Sequence, residues 1–152
     1  MALELIKRKE AEPLSQGDII RNIPVAAFSS LGEYSPQNIL GVILSHSCEL
    51  DKPKNLVALV CELRKVEGLQ EQQAEQIRQG KVLNAAHVGE VESFGEAFVD
   101  FRQTHRVFKP HLLTLIPGGR VSALAEKACV QLSVFFFRYL VRELPPETEV
   151  VS

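Results

Sequence analysis

Seven consecutive residues, Ser45-His46-Ser47-Cys48-Glu49-Leu50-Asp51, bring together a thiol, an imidazole, two hydroxyls and two carboxylates. A cysteine nucleophile requires a base within reach and a lowered pKa. His46 lies two residues from Cys48, a spacing that on a strand puts both on one face. Glu49 and Asp51 are of the type that orients an imidazole as the third member of a triad. Two considerations oppose this reading. Neighbouring carboxylates raise a thiol's pKa, and triad partners usually come from distant parts of a chain. The competing reading makes Cys48 a small hydrophobe that closes the end of a strand. His46 and Cys48 are also metal-ligand types, with His87, His105 or His111 to complete a set. The spacing matches no zinc motif, so neither a metal nor another cofactor is expected.

A second group is cationic: Arg102, His105, Arg106, Lys109 and His111, with Phe108 among them. Strand alternation puts Arg102 and Arg106 on one face. Arg102, Arg106 and Lys109 are therefore the expected contacts to nucleic acid or another anion, by phosphate pairing plus stacking. The other reading is a solvated strand face with Arg102 paired to Asp100 or Glu96. A third group is the run Phe135-Phe136-Phe137. Three consecutive aromatics on a helix span too wide an arc for one narrow stripe. Either all three are buried, or two face the core and one looks outward to a protein partner or a second copy.

The elements that must position these groups follow from pattern. "LSQGDIIRNIPVAAF", Leu14–Phe28, reads as a first strand, with Gly17-Asp18 a turn and Pro24 breaking the strand or marking an edge. Ser29–Asn38 reads as a loop. "ILGVILS" and "NLVALVCEL" are short, nearly continuous apolar runs, as strands buried on both faces are. "GLQEQQAEQIRQG" is a surface helix with Gly80 just past its end. "EAFVDFRQTHRVF" alternates as a half-buried strand. "HLLTLIPGG" reads as one more short strand ended by Pro-Gly-Gly. From Ser122 onward, Ala125, Ala128, Leu132, Phe135, Phe136, Tyr139 and Leu140 recur at helical spacing, with Pro145-Pro146 as the stop.

Composition bounds the rest. The chain has 152 residues, 45% apolar and 24% charged, which fits a single globular domain over 1–152 with a charged leader at 1–13. A net charge of −2 supplies no global drive toward polyanions. The most apolar stretch, Val130–Val141, is broken by Gln131, Ser133 and Arg138 and falls short of the ~20 residues of a spanning helix. The N-terminus is charged where a signal peptide would be apolar. A cytoplasmic protein with no membrane contact is expected, its three cysteines reduced.

Two resemblances bear on function. "QGDIIRNIP", followed by a buried strand ending in Ser and a second buried strand, resembles the opening of the MazF/PemK-type toxins over roughly the first 60 residues. That resemblance implies an SH3-like barrel and RNA cleavage. The chain has Leu40-Gly41 where those enzymes carry Arg-Pro, so the catalytic arginine is not at its usual place. Nearly the whole chain is similar to a family of small, poorly characterised bacterial proteins. Its marks here are Ser45-His46-Ser47-Cys48-Glu49-Leu50, Val99-Asp100-Phe101-Arg102 and Arg142-Glu143-Leu144-Pro145-Pro146, with Glu49 in place of the usual Asp. This second resemblance implies a bacterial or phage-borne cytosolic protein.

The expectation is an α+β domain: a small curled antiparallel barrel, SH3-like or MazF/PemK-type, with one inserted surface helix and a long C-terminal helix. Its expected role is that of a binding or regulatory component of a toxin–antitoxin or phage-defence system, with a protein partner or as a homodimer. The alternative is a hydrolase or ribonuclease that uses Ser45–Asp51, with Cys48 as nucleophile.

Overall fold

The computed structural model describes residues 2–142. Its elements run β1 (Leu5–Ile6), β2 (Asp18–Phe28), β3 (Tyr34–Ile43), α1 (Ser47–Leu50), β4 (Val57–Lys65), α2 (Glu71–Arg78), β5 (Ala85–Val91), β6 (Gly95–Phe108), α3 (Lys109–Gly119), β7 (Arg120–Leu124) and α4 (Glu126–Arg142). The seven strands form one sheet in the order β1-β7-β2-β3-β4-β6-β5, and every pairing is antiparallel. The α+β class is therefore observed.

The sheet curls without closing. Leu3, Ala86, Val88 and Leu124, from the two ends of the strand order, share a core cluster with Val42 and Cys61 from its middle. A backbone bond from the Leu3 N–H to the His87 carbonyl (2.8 Å) links the two ends. No ladder joins β1 to β5, so the sheet is open where a barrel was expected.

Alternation explains the continuous apolar strands. Ile19, Val42 and Cys61 point into the cluster that Ala128 and Leu132 of α4 complete. Their neighbours Ile20, Ile43 and Val60 point the other way, into a second cluster with Leu112 and Ile116 of α3 and Leu50 of α1. Both faces are thus covered, and neither can be polar. A smaller third cluster seats Ala74 and Ile77 of α2 on Val66, Ala85 and Phe98.

Several expectations are corrected. The expected strand at His111–Gly119 is helical as far as Ile116: Pro110 stands in the first turn of α3, where its fixed φ and missing N–H fit. The helical backbone ends at Pro117 (φ −62°, ψ 113°) and Gly118 (φ 76°). Tyr34–Asn38 extends β3 in register with Pro24–Phe28, so the expected loop shrinks to the tip of a hairpin. β2 runs through Pro24, which pairs only with β3 because β7 reaches no further than Ile20. Ser122–Leu124 belongs to β7, and the C-terminal helix begins at Glu126. Among the described residues helices number four rather than two. The expected stop at Pro145-Pro146 lies outside the described residues.

The charged leader is tied down. The Asp18 carboxylate, fully buried, accepts from Arg8 Nη1 (2.8 Å), Arg120 Nη1 (3.2 Å) and the Ser15 N–H (2.9 Å). Arg120 Nη2 also donates to the Glu12 carbonyl at 2.6 Å. Among the described residues no helix is long and apolar enough to cross a membrane.

Candidate functional site

The buried run of β3 ends at Ile43 because the chain turns there. The Leu44 N–H bonds to the Leu59 carbonyl at 2.9 Å, and Ser45 Oγ accepts the Leu59 N–H at 2.7 Å. Ser47 Oγ accepts the Gln16 N–H at 3.1 Å. The two serines of the motif therefore hold the chain rather than await a substrate. Below them Lys109, buried, donates Nζ to the carbonyls of Leu50 (3.0 Å) and Lys52 (2.8 Å) at the C-terminal end of α1. Asn55 Nδ2 binds the Glu49 carbonyl at 3.1 Å and its Oε2 at 2.7 Å.

This frame presents His46 and Cys48 to solvent. His46 is the N-cap of α1, and its Nδ1 lies 3.1 Å from Cys48 Sγ. The pair meets, though not by strand alternation as expected: the segment is one helical turn, and capping geometry folds the imidazole back over the second residue. Glu49 does not orient the ring. Its carboxylate is held by Lys52 (2.8 Å) and Asn55, which keep it below the usual carboxylate range. Asp51 is exposed and closes the turn through its N–H to the Ser47 carbonyl at 3.1 Å. Among the described residues no carboxylate binds the second ring nitrogen of His46, so the thiol has a base without an orienting partner. Nor do three His, Cys, Asp or Glu side chains gather there as metal ligands would.

Beside the turn lies a groove of about 490 Å³, bordered by Ser45, Glu49, Lys54, Asn55, Leu59 and Arg106. A second hollow of about 480 Å³ opens between Pro24–Ala26 of β2 and His105, Arg106, Phe108 and His111. Arg106 borders both. It is exposed, and neither it nor Lys54 makes an ion pair among the described residues. His105 Nε2 is buried there without a hydrogen-bond partner among the described residues.

The other expected cations are placed differently. Arg102 leans back on Asp100 (3.2 Å), a fully buried carboxylate that Arg64 also approaches at 3.4 Å. Lys109 is turned inward, as described, and offers no charge to a ligand. Lys54 and Asn55, on the groove wall, carry no sequence mark beyond a polar loop after Pro53. Sequence pattern alone does not show that β6 runs alongside them.

Neither family models nor curated proteins match this chain.

Proposed function

We propose that the chain is a binding and regulatory protein that takes hold of an anionic partner, nucleic acid foremost, through the two hollows that meet at Arg106. The observation that carries this reading is the two cations Arg106 and Lys54, which make no ion pair among the described residues, beside the exposed apolar surface of Leu56, Val57 and Phe108. Guanidinium and ammonium groups suit phosphates, and an exposed ring offers a base a stacking surface. A toxin–antitoxin or phage-defence setting in a bacterial cytoplasm, and kinship of the curled sheet to SH3-like barrels, belong to the same proposal. They rest on the resemblances of Ser45–Leu50, Val99–Arg102 and the N-terminal strands.

The test is fluorescence anisotropy with a labelled single-stranded oligonucleotide. Binding should weaken steeply with salt, and Arg106→Ala should lower both affinity and salt slope. Equal binding by wild type and Arg106→Ala sinks the proposal. In a bacterial host expressing the chain, growth or phage plaquing should change, and Arg106→Ala should abolish the change.

A second reading is favoured by the 3.1 Å contact of His46 Nδ1 with Cys48 Sγ: a hydrolase or ribonuclease with Cys48 as nucleophile. It expects rapid alkylation of Cys48 by iodoacetamide near neutral pH, slowed in His46→Ala, and loss of the cellular effect in Cys48→Ala. Slow alkylation, or a cellular effect that survives Cys48→Ala, removes it.

A further inference from the structure

The helix α4 is apolar on two opposite faces. Ala128 and Leu132 are buried, and Ala125, Cys129, Phe135, Phe136 and Tyr139 pack against the same core. Phe136 and Tyr139 both contact the ring of Phe101, with centroids 5.7 and 6.0 Å apart. At 100° per residue, Val130, Val134, Phe137 and Val141 fall within roughly 60° of arc on the far side. These four are open to solvent, Val130 by 63% and Phe137 by 66%. Their spacing of four, three and four residues is the seam of a two-helix coiled coil.

We infer that this outer face of α4 pairs with the same face of a second copy of the chain, the two helices antiparallel. Surface area argues for it. With Leu140 at the margin, the stripe leaves on the order of 400–500 Å² of apolar surface open, high in the ~300–600 Å² range for the largest patch of a monomer. Two such faces and their polar rim reach the ~1,000 Å² that a specific interface must clear. Charge decides the direction. Arg138 and Arg142 stand at the C-terminal end of α4, and a parallel pair would bring four arginines together, with aligned dipoles. The antiparallel arrangement separates them and sets each pair beside the half of the other helix that begins with Glu126 and Lys127, whose charges cancel. It places Val130 opposite Val141 and Val134 opposite Phe137, so that each stripe is its own complement under a twofold axis.

Light scattering and sedimentation of the full chain, from roughly 1 to 200 µM, read the association directly. Wild type should be a dimer at the upper concentrations. Phe137→Glu should raise the dissociation constant at least about tenfold, because it sets a carboxylate in an apolar seam. Val130→Glu serves as a second variant, and circular dichroism melts verify that both fold. A wild type that stays monomeric throughout overturns the inference, as does a dimer indifferent to both substitutions. Direction is read by oxidising a mixture of Val134→Cys and Phe137→Cys proteins, each also carrying Cys48→Ser. An antiparallel seam gives predominantly the mixed 134–137 crosslink. Predominance of 134–134 and 137–137 products overturns the antiparallel arrangement.

Discussion

Lys109 shows how a charge that reads as a surface contact becomes part of the frame. The Leu50 carbonyl at the end of α1 has no helical partner, and the ammonium supplies one; it also adds a second donor to the Lys52 carbonyl, which accepts the Asn55 N–H at 3.0 Å. Replacing Lys109 by Met keeps the apolar stem and leaves the buried Leu50 carbonyl unsatisfied. That should cost about 1–3 kcal/mol in denaturant unfolding and speed amide exchange across residues 47–52. Unchanged stability and exchange would mean that the turn is held by Asn55 and the serines alone. The cysteines make the same point about surroundings. Cys61 is fully buried against the Asp100 carbonyl, and burial pushes its thiol up to about 12. Burial also raises Cys129, whose Sγ donates to the Gln16 carbonyl at 3.3 Å. Cys48 alone of the three is exposed.

Strand packing puts Gly41 where no side chain fits. A Cβ there would lie 2.5 Å from Val60 Cγ1 and 3.0 Å from Ile23 Cδ1. Val60 is β-branched, with little rotamer freedom to yield, and Ile23 is fully buried. Gly41→Ala should therefore destabilise by about 1–3 kcal/mol through overpacking, although alanine favours the extended backbone no less than glycine does. A paired variant, Gly41→Ala with Val60→Ala, should recover part of the loss, because the second change opens the space that the first fills. If the double variant is no more stable than the sum of the two single effects, the contact with Val60 is not the cause.

Three elements meet at Glu96. Its carboxylate receives Arg78 of α2 (2.8 Å) and lies 2.7 Å from His87 Nε2 of β5, while its backbone belongs to β6. Arg78 chiefly, with His87, holds this carboxyl at about 2, well below the ordinary 4.5. A depressed value means that the folded state prefers the ionised form. The stabilisation is complete above pH ~4.5 and is lost as pH falls toward 2. The melting temperature of wild type should drop across that window, and Glu96→Gln should start lower and drop less. Asp18 works against the trend: burial raises its pKa despite Ser15, Arg8 and Arg120. Parallel acid melts of wild type and Glu96→Gln, with the same slope from pH 5 to 2, would show that Glu96 contributes nothing to acid sensitivity.

The sequence by itself determined the class of the fold and most of its strands, because side-chain alternation and continuous apolar runs are local signals. It also marked α2 and α4, and the run of three phenylalanines whose central arc is too wide for one stripe. Phe135 and Phe136 pack on the core and Phe137 does not. β5 went unmarked because Ala85, Ala86 and Gly89 carry little strand propensity; the β6 ladder makes the strand. α3 was misread because the short apolar stretch Leu112–Ile116 fits strand and helix alike, and only Pro110 pointed to the helix. Around the site, residue types were legible and their roles were not. That Ser45, Ser47 and Lys109 hold the turn, that Glu49 faces Lys52 and Asn55, and that Arg106 borders two hollows all depend on strands far apart in sequence being adjacent in space. Adjacency of that kind arises from burial of both faces of one curled sheet, a property of the whole chain that no short stretch of it encodes.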